Sequence, residues 1–189
     1  MSIGPGTFVA IVGPSGVGKD SLIRALGERM RGSDAIVLAR RFVTRASDAH
    51  EDHETLDERT FLELQSEGRF ALSWSAHGLH YGIPIEIDGA ISEGKTVVCN
   101  VSRASVAAVR ARYRRSLVIA ITARAETLAV RLAARGRESH AARQGRLARG
   151  ISPEIAIITD RIVNNDGPLQ VAAARLWEII VSCGADASA

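Results

Sequence analysis

Seven residues constrain this chain more than any others: Gly13-Pro14-Ser15-Gly16-Val17-Gly18-Lys19, which fits the pattern G-x-x-x-x-G-K. They follow an apolar run at residues 7–12 and precede a segment in which Leu22, Ile23, Leu26 and Met30 recur at helical spacing. Strand, glycine-rich turn and helix in that order make a phosphate cradle. The glycines let several backbone N–H groups turn inward, and the helix N-terminus adds positive potential. Lys19 brings a mobile point charge to the β- and γ-phosphates of a nucleotide, with Asp20 and Ser21 completing the binding segment. The residue after such a lysine is ordinarily Ser or Thr, whose hydroxyl ligates Mg²⁺; here it is Asp20. A carboxylate suits magnesium. The apolar runs at 96–99 and 117–121 do not end in an acid, which makes Asp20 the expected metal contact, direct or through water. The competing reading is a helix-terminal acid favoured only by the macrodipole.

Further β-like runs stand at 36–38, 96–99 and 117–121, with helical patterns at 58–67, 85–92, 104–113 and 126–134. Ser152-Pro153 reads as an N-cap and first-turn proline opening another helix, and residues 171–181 form a closing amphipathic one. Strands alternating with helices imply an α/β fold of P-loop NTPase type, a mostly parallel sheet with helices on both faces. With no repeat and no low-complexity linker, 189 residues are expected to form one domain, 1–189. The net charge of +3 gathers in two basic segments, 103–115 and 131–149, with few aromatics between them for bases to stack on. Nucleic acid is therefore not the expected partner. The apolar run at 8–12 is too short for a membrane span and lacks a basic leader, so neither membrane nor secretion is expected. Two cysteines, Cys99 in an apolar run and Cys183, do not make a disulfide framework, and a reducing cytoplasm is the expected home.

Beyond the cradle, the chain resembles the guanylate kinase family over most of its length. The resemblance rests on Thr44-Arg45, on the segment from His77 to Pro84, on the run from Arg131 to Arg137 with Arg146-Leu147, and on Asn164-Asn165-Asp166. It implies an acceptor-binding region at about 40–95, an arginine-rich lid at about 135–150 and Asn165 near the adenine. The departures matter more. The positions that hydrogen-bond guanine in that family align with Ser75 and Ile83, and no second acceptor arginine stands between Ala46 and Asp52. Each unmade buried hydrogen bond costs roughly 1–3 kcal/mol, so GMP is not the expected acceptor. A neighbouring family, the ribose 1,5-bisphosphate phosphokinases, is similar at more points. These are Gly13 to Ser21, Thr44-Arg45 followed by Glu51-Asp52-His53-Glu54, Ser73 to Gly82, and Asn100-Val101-Ser102-Arg103.

What that resemblance implies is transfer of the ATP γ-phosphate, with Mg²⁺, onto ribose 1,5-bisphosphate to give 5-phospho-α-D-ribose 1-diphosphate, in some relatives alongside phosphonate degradation. A small sugar with two phosphates needs cations at both ends. Arg45 and Arg103 can fork onto phosphate oxygens, Tyr81 offers a phenolic donor, and His53 is assigned to a phosphate. Glu51, Asn100 and Ser102 are assigned to ribose hydroxyls or to orienting the arginines. Lys19 with the lid residues Arg135 and Arg146 forms the expected catalytic set, acting by position and charge rather than as a base. A nucleoside monophosphate kinase with altered base preference is the rival enzyme. A peptide-binding module of the same fold is set aside because Lys19, Arg135 and Arg146 are all present, and a regulatory GTPase because no N-K-x-D motif is. The sequence leaves the oligomeric state, monomer or homodimer, open.

Overall fold

Every side chain of β1 (Thr7–Val12) is buried, as befits a strand covered on both faces. Alternation splits it: Phe8, Ala10 and Val12 join one apolar cluster, Val9 and Ile11 the other. The computed structural model that shows this describes residues 2–30, 33–46, 53–134 and 158–185. β1 is the middle strand of a five-stranded sheet with β2 (Ile36–Leu38), β7 (Thr96–Asn100), β8 (Ser116–Thr122) and β9 (Arg161–Asn164), in the order β2-β7-β1-β8-β9. All four pairings are parallel. Helices α1 (Lys19–Arg29) and α6 (Leu169–Ala185) cover one face through Leu22, Leu26, Leu176 and Ile180. On the other face lie α3 (Ile87–Ser92) and α4 (Val106–Arg112), with Ile87, Ile91, Val106 and Val109. Helix α5 (Ala125–Ala134) follows β8 and buries Leu128 and Leu132.

The expected parallel sheet is present, and a second sheet that the sequence did not announce stands beside it. β3 (Arg41–Val43), β4 (His53–Thr55), β5 (Phe70–Ala76) and β6 (Leu79–Pro84) pair in the order β4-β3-β6-β5, with β6 antiparallel to both neighbours. Its hairpin turns on His77 and Gly78, with φ of 54° and 73°. Two positive-φ residues between antiparallel strands are the two-residue turn whose twist suits a hairpin. α2 (Glu58–Ser66), capped by Asp57 accepting from Thr60 N at 2.9 Å, lays Phe61 on Phe70 with ring centroids 4.6 Å apart. Gly82 gives that ring room, because a Cβ would come within 2.6 Å of it. Leu72 and Ile83 carry the second sheet into the α3–α4 side of the core. The expected helix at 104–113 divides into a 3₁₀ turn at Arg103–Ser105 and then α4. The helix expected to open at Ser152-Pro153 lies outside the described residues.

Candidate active site

The cradle occupies the C-terminal edge of the parallel sheet, where ligands of open α/β sheets bind. Gly13, Gly16 and Gly18 all have positive φ, and Gly18 in the left-handed region opens α1. The Val17 carbonyl is turned outward, accepting from Asn165 Nδ2 at 2.8 Å and from Arg131 at 3.4 Å. In a trans peptide C=O and N–H point opposite ways, so these two donors fix the direction of the Gly18 N–H. Lys19 Nζ donates to the carbonyls of Gly13 and Pro14 at 2.9 and 3.0 Å, which keeps the ammonium at the mouth of the loop.

Pairing of β7 with β1 sets Asn100 level with Ile11, one residue short of the loop. From there Asn100 Nδ2 donates to Asp20 Oδ1 at 2.5 Å. The same oxygen accepts from Arg41, on β3 of the second sheet, at 3.2 Å. Asp20 thus joins the first helix, the end of β7 and the second sheet at one point. Arg41 also sits over the Tyr81 ring at 6.0 Å, and Tyr81 stacks on Trp74 with centroids 5.4 Å apart and planes 2° from parallel. Lys19, Asp20, Arg41, Arg45, Tyr81 and Arg103 all line one cleft of about 420 Å³, together with the glycines of the loop, Asn100 and Ser102. Burial of Cys99, beside Asn100, pushes its thiol up to about 12, so it is an inert neutral group at this edge.

The sequence-assigned residues divide. Gly13, Pro14, Ser15, Gly16, Gly18, Lys19, Asp20, Arg45, Tyr81, Asn100, Ser102 and Arg103 converge on the cleft. Val17 contributes its backbone only, its side chain lying fully in the core, and Ser21 follows on α1 half-buried. His53, which the sequence assigned to a phosphate, is 3% exposed, and its Nε2 donates to the Arg45 carbonyl at 2.9 Å. With Thr55 Oγ1 donating to that same carbonyl at 3.2 Å, His53 anchors the backbone of Arg45. Asn165, 2% exposed, is likewise a bolt behind the cradle, while its neighbour Asp166 accepts from Arg124 N. Glu51, Arg135 and Arg146 lie outside the described residues.

Arg41 was missed. The signal was available, since Arg41, Val43 and Arg45 alternate at period two and all three line the cleft. Three residues are too few to reveal a strand by pattern. The positions aligned with guanine contacts do other work. Ser75 hydroxyl lies 2.9 Å from His80 Nδ1, while His80 Nε2 donates to the Glu58 carboxylate at 3.3 Å. Ile83 is fully buried in the core.

No family model matches the chain. A ribose 1,5-bisphosphate phosphokinase PhnN from Methylobacterium radiotolerans is 45% identical over 179 residues, covering 95% of this chain and 99% of that protein. A ribose 1,5-bisphosphate phosphokinase PhnN from Pseudofrankia inefficax is 43% identical, covering 95% and 93%. Among solved structures, a guanylate kinase from Anaplasma phagocytophilum superposes with a TM-score of 0.70 at 18% identity, over 96% of this chain and 86% of that one. At that identity the likeness establishes a guanylate kinase-like fold and nothing further.

Proposed function

The chain belongs to the ribose 1,5-bisphosphate phosphokinase family, and we propose that it transfers the γ-phosphate of ATP to ribose 1,5-bisphosphate, forming 5-phospho-α-D-ribose 1-diphosphate and ADP. One observation carries the reading: the Lys19 cradle and a wall bearing Arg41, Arg45, Arg103 and Tyr81 face a single cleft. An oxygen of the acceptor 1-phosphate forms a bond to the γ-phosphorus, and the bond to the β–γ bridging oxygen breaks, leaving ADP. The attacking oxygen is already anionic at neutral pH, so no general base is needed and the protein's task is alignment and charge neutralisation. Lys19 meets the charge on the transferred group. Arg45 and Arg103 hold the acceptor by its phosphate, and the Tyr81–Trp74 stack gives the sugar a flat, partly apolar floor.

Asp20 fits a magnesium contact. Among the described residues Asp20 is the one carboxylate lining the cleft, which matches the way Mg²⁺ binds, through one or two carboxylates plus substrate phosphates, and Asn100 and Arg41 orient it. Bound there, the ion would neutralise phosphate charge. Arg135 and Arg146 are assigned to a lid that excludes water, residues 40–95 to acceptor binding, and the whole chain to one domain. No helix among the described residues is long and apolar enough to cross a membrane, consistent with action on small phosphorylated metabolites in the cytoplasm. Mass detection of the diphosphate product from ATP and ribose 1,5-bisphosphate, with GMP as the rival acceptor, tests the reading. A preference for GMP would sink it.

A further inference from the structure

Arg41 is placed unlike the other arginines of the cleft. Its side chain is 12% exposed, it begins β3, and its guanidinium is fixed on two sides, by Asp20 at 3.2 Å and by the Tyr81 face. Asp20 directly follows Lys19, so Arg41 is the acceptor-wall cation that lies against the phosphate cradle. Arg45 lies four residues further on, past the end of β3, in a bend on the same wall. A sugar bisphosphate that presents one phosphate to the γ-phosphoryl group must direct the other away from it. The phosphate nearer the cradle then meets Arg41, the wall cation paired with Asp20.

We propose that Arg41 is a ligand of the attacking phosphate of the acceptor, and so the residue that makes a phosphate at that end a requirement. The proposal rests on the functional reading above and adds to it the cation that meets the attacking phosphate. A guanidinium has five N–H donors in a planar fork. Among the described residues Asp20 is the one carboxylate that engages this one, and the pair with Asp20 and the Tyr81 face holds the fork in one orientation before substrate arrives. Side-chain entropy otherwise lost on binding is already spent in that arrangement. Asn100 supports it at one remove, by fixing the carboxylate that fixes the arginine.

The test compares two ligands that differ only at the attacking end, ribose 1,5-bisphosphate and ribose 5-phosphate, by calorimetry on the wild-type protein, Arg41→Ala and Arg41→Lys. The wild type is expected to bind the bisphosphate more tightly by about 30-fold or more, the scale of a bidentate charge-assisted contact. In Arg41→Ala that preference should collapse to within about threefold, with ribose 5-phosphate affinity and ATP affinity each within about threefold of wild type. Arg41→Lys keeps the charge and the partner Asp20 but loses the fork, so it should retain only part of the preference; it carries the same comparison if the alanine variant does not fold. Equal losses for both sugars would make Arg41 structural or a ligand of the far phosphate, and would overturn the assignment. A variant that still discriminates as the wild type does overturns it alone, leaving the proposed reaction intact. A wild type that binds neither sugar phosphate overturns the reaction and the assignment together.

Discussion

The two walls of the cleft are built on different principles. The cradle wall is one contiguous stretch, Gly13 to Asp20, whose work is done largely by backbone that three positive-φ glycines bend into place. The facing wall, proposed as the acceptor wall, gathers Arg41, Arg45, Trp74, Tyr81 and Arg103 from four separate segments and is formed by side chains. The first is legible as a motif because its geometry depends on neighbours in sequence. The second exists only after β3, β5, β6 and the end of β7 have met. Asp20 is the seam, bonded to both Asn100 and Arg41.

The comparison breaks most visibly at Lys19. Lys19→Ala removes a charge without emptying the core, so kcat should fall by about 10³-fold or more while the melting temperature stays within a few degrees. Activity within tenfold of wild type, in a steady-state assay, would remove the cradle from the mechanism.

At the seam the expected effect is smaller. Asp20→Asn keeps the shape but removes the anion, and should raise the Mg²⁺ concentration for half-maximal rate by roughly tenfold. Asp20→Ser should recover part of that loss. An unchanged magnesium midpoint in both variants would reduce Asp20 to a helix-terminal acid that also holds Arg41.

The acceptor wall can be loosened without touching a ligand. In Gly82→Ala the new methyl meets Phe70 ring atoms at 2.6–2.9 Å, an overpacking that typically costs about 1–3 kcal/mol. The melting temperature should drop by several degrees, and acceptor KM should rise more than ATP KM. Parallel changes in both constants would show that the two walls are mechanically one.

The smallest effect belongs to the cradle's far support. The Arg124 N–H and the Asn164 amide, both donating to Asp166, hold its carboxyl down to about 2, against 3.8 for the free side chain. A depressed folded-state value contributes stability above pH 3.8 that fades as pH falls towards 2. Asp166→Asn should therefore melt slightly below wild type at pH 7, and the gap should close as both are taken towards pH 2. A gap that persists or widens in acid would assign the effect to packing.

Much of the parallel sheet was readable in advance. The apolar runs of β1, β7 and β8 are buried on both faces, and such strands need no partner to identify them. The cradle with Lys19 and Asp20 was equally plain. The second sheet was not: β3 and β4 have three residues each, and the pattern of β5 and β6 shows only once the His77-Gly78 turn joins them. Family resemblance drew attention to Arg45, Tyr81 and His53 but could not separate their roles. The structure sets His53 beneath the Arg45 backbone and Asn165 behind the loop.

By itself the sequence determined that a strand, a glycine turn and a helix would hold phosphates, because those φ values and N–H directions are set within a few residues. Tertiary structure alone decided what faces that cradle. Side chains 21 and 80 residues from Asp20, Arg41 and Asn100, converge on one oxygen of its carboxylate. No local rule specifies such a meeting, since it is fixed by the pairing of β7 with β1 and by the packing of a second sheet against the first.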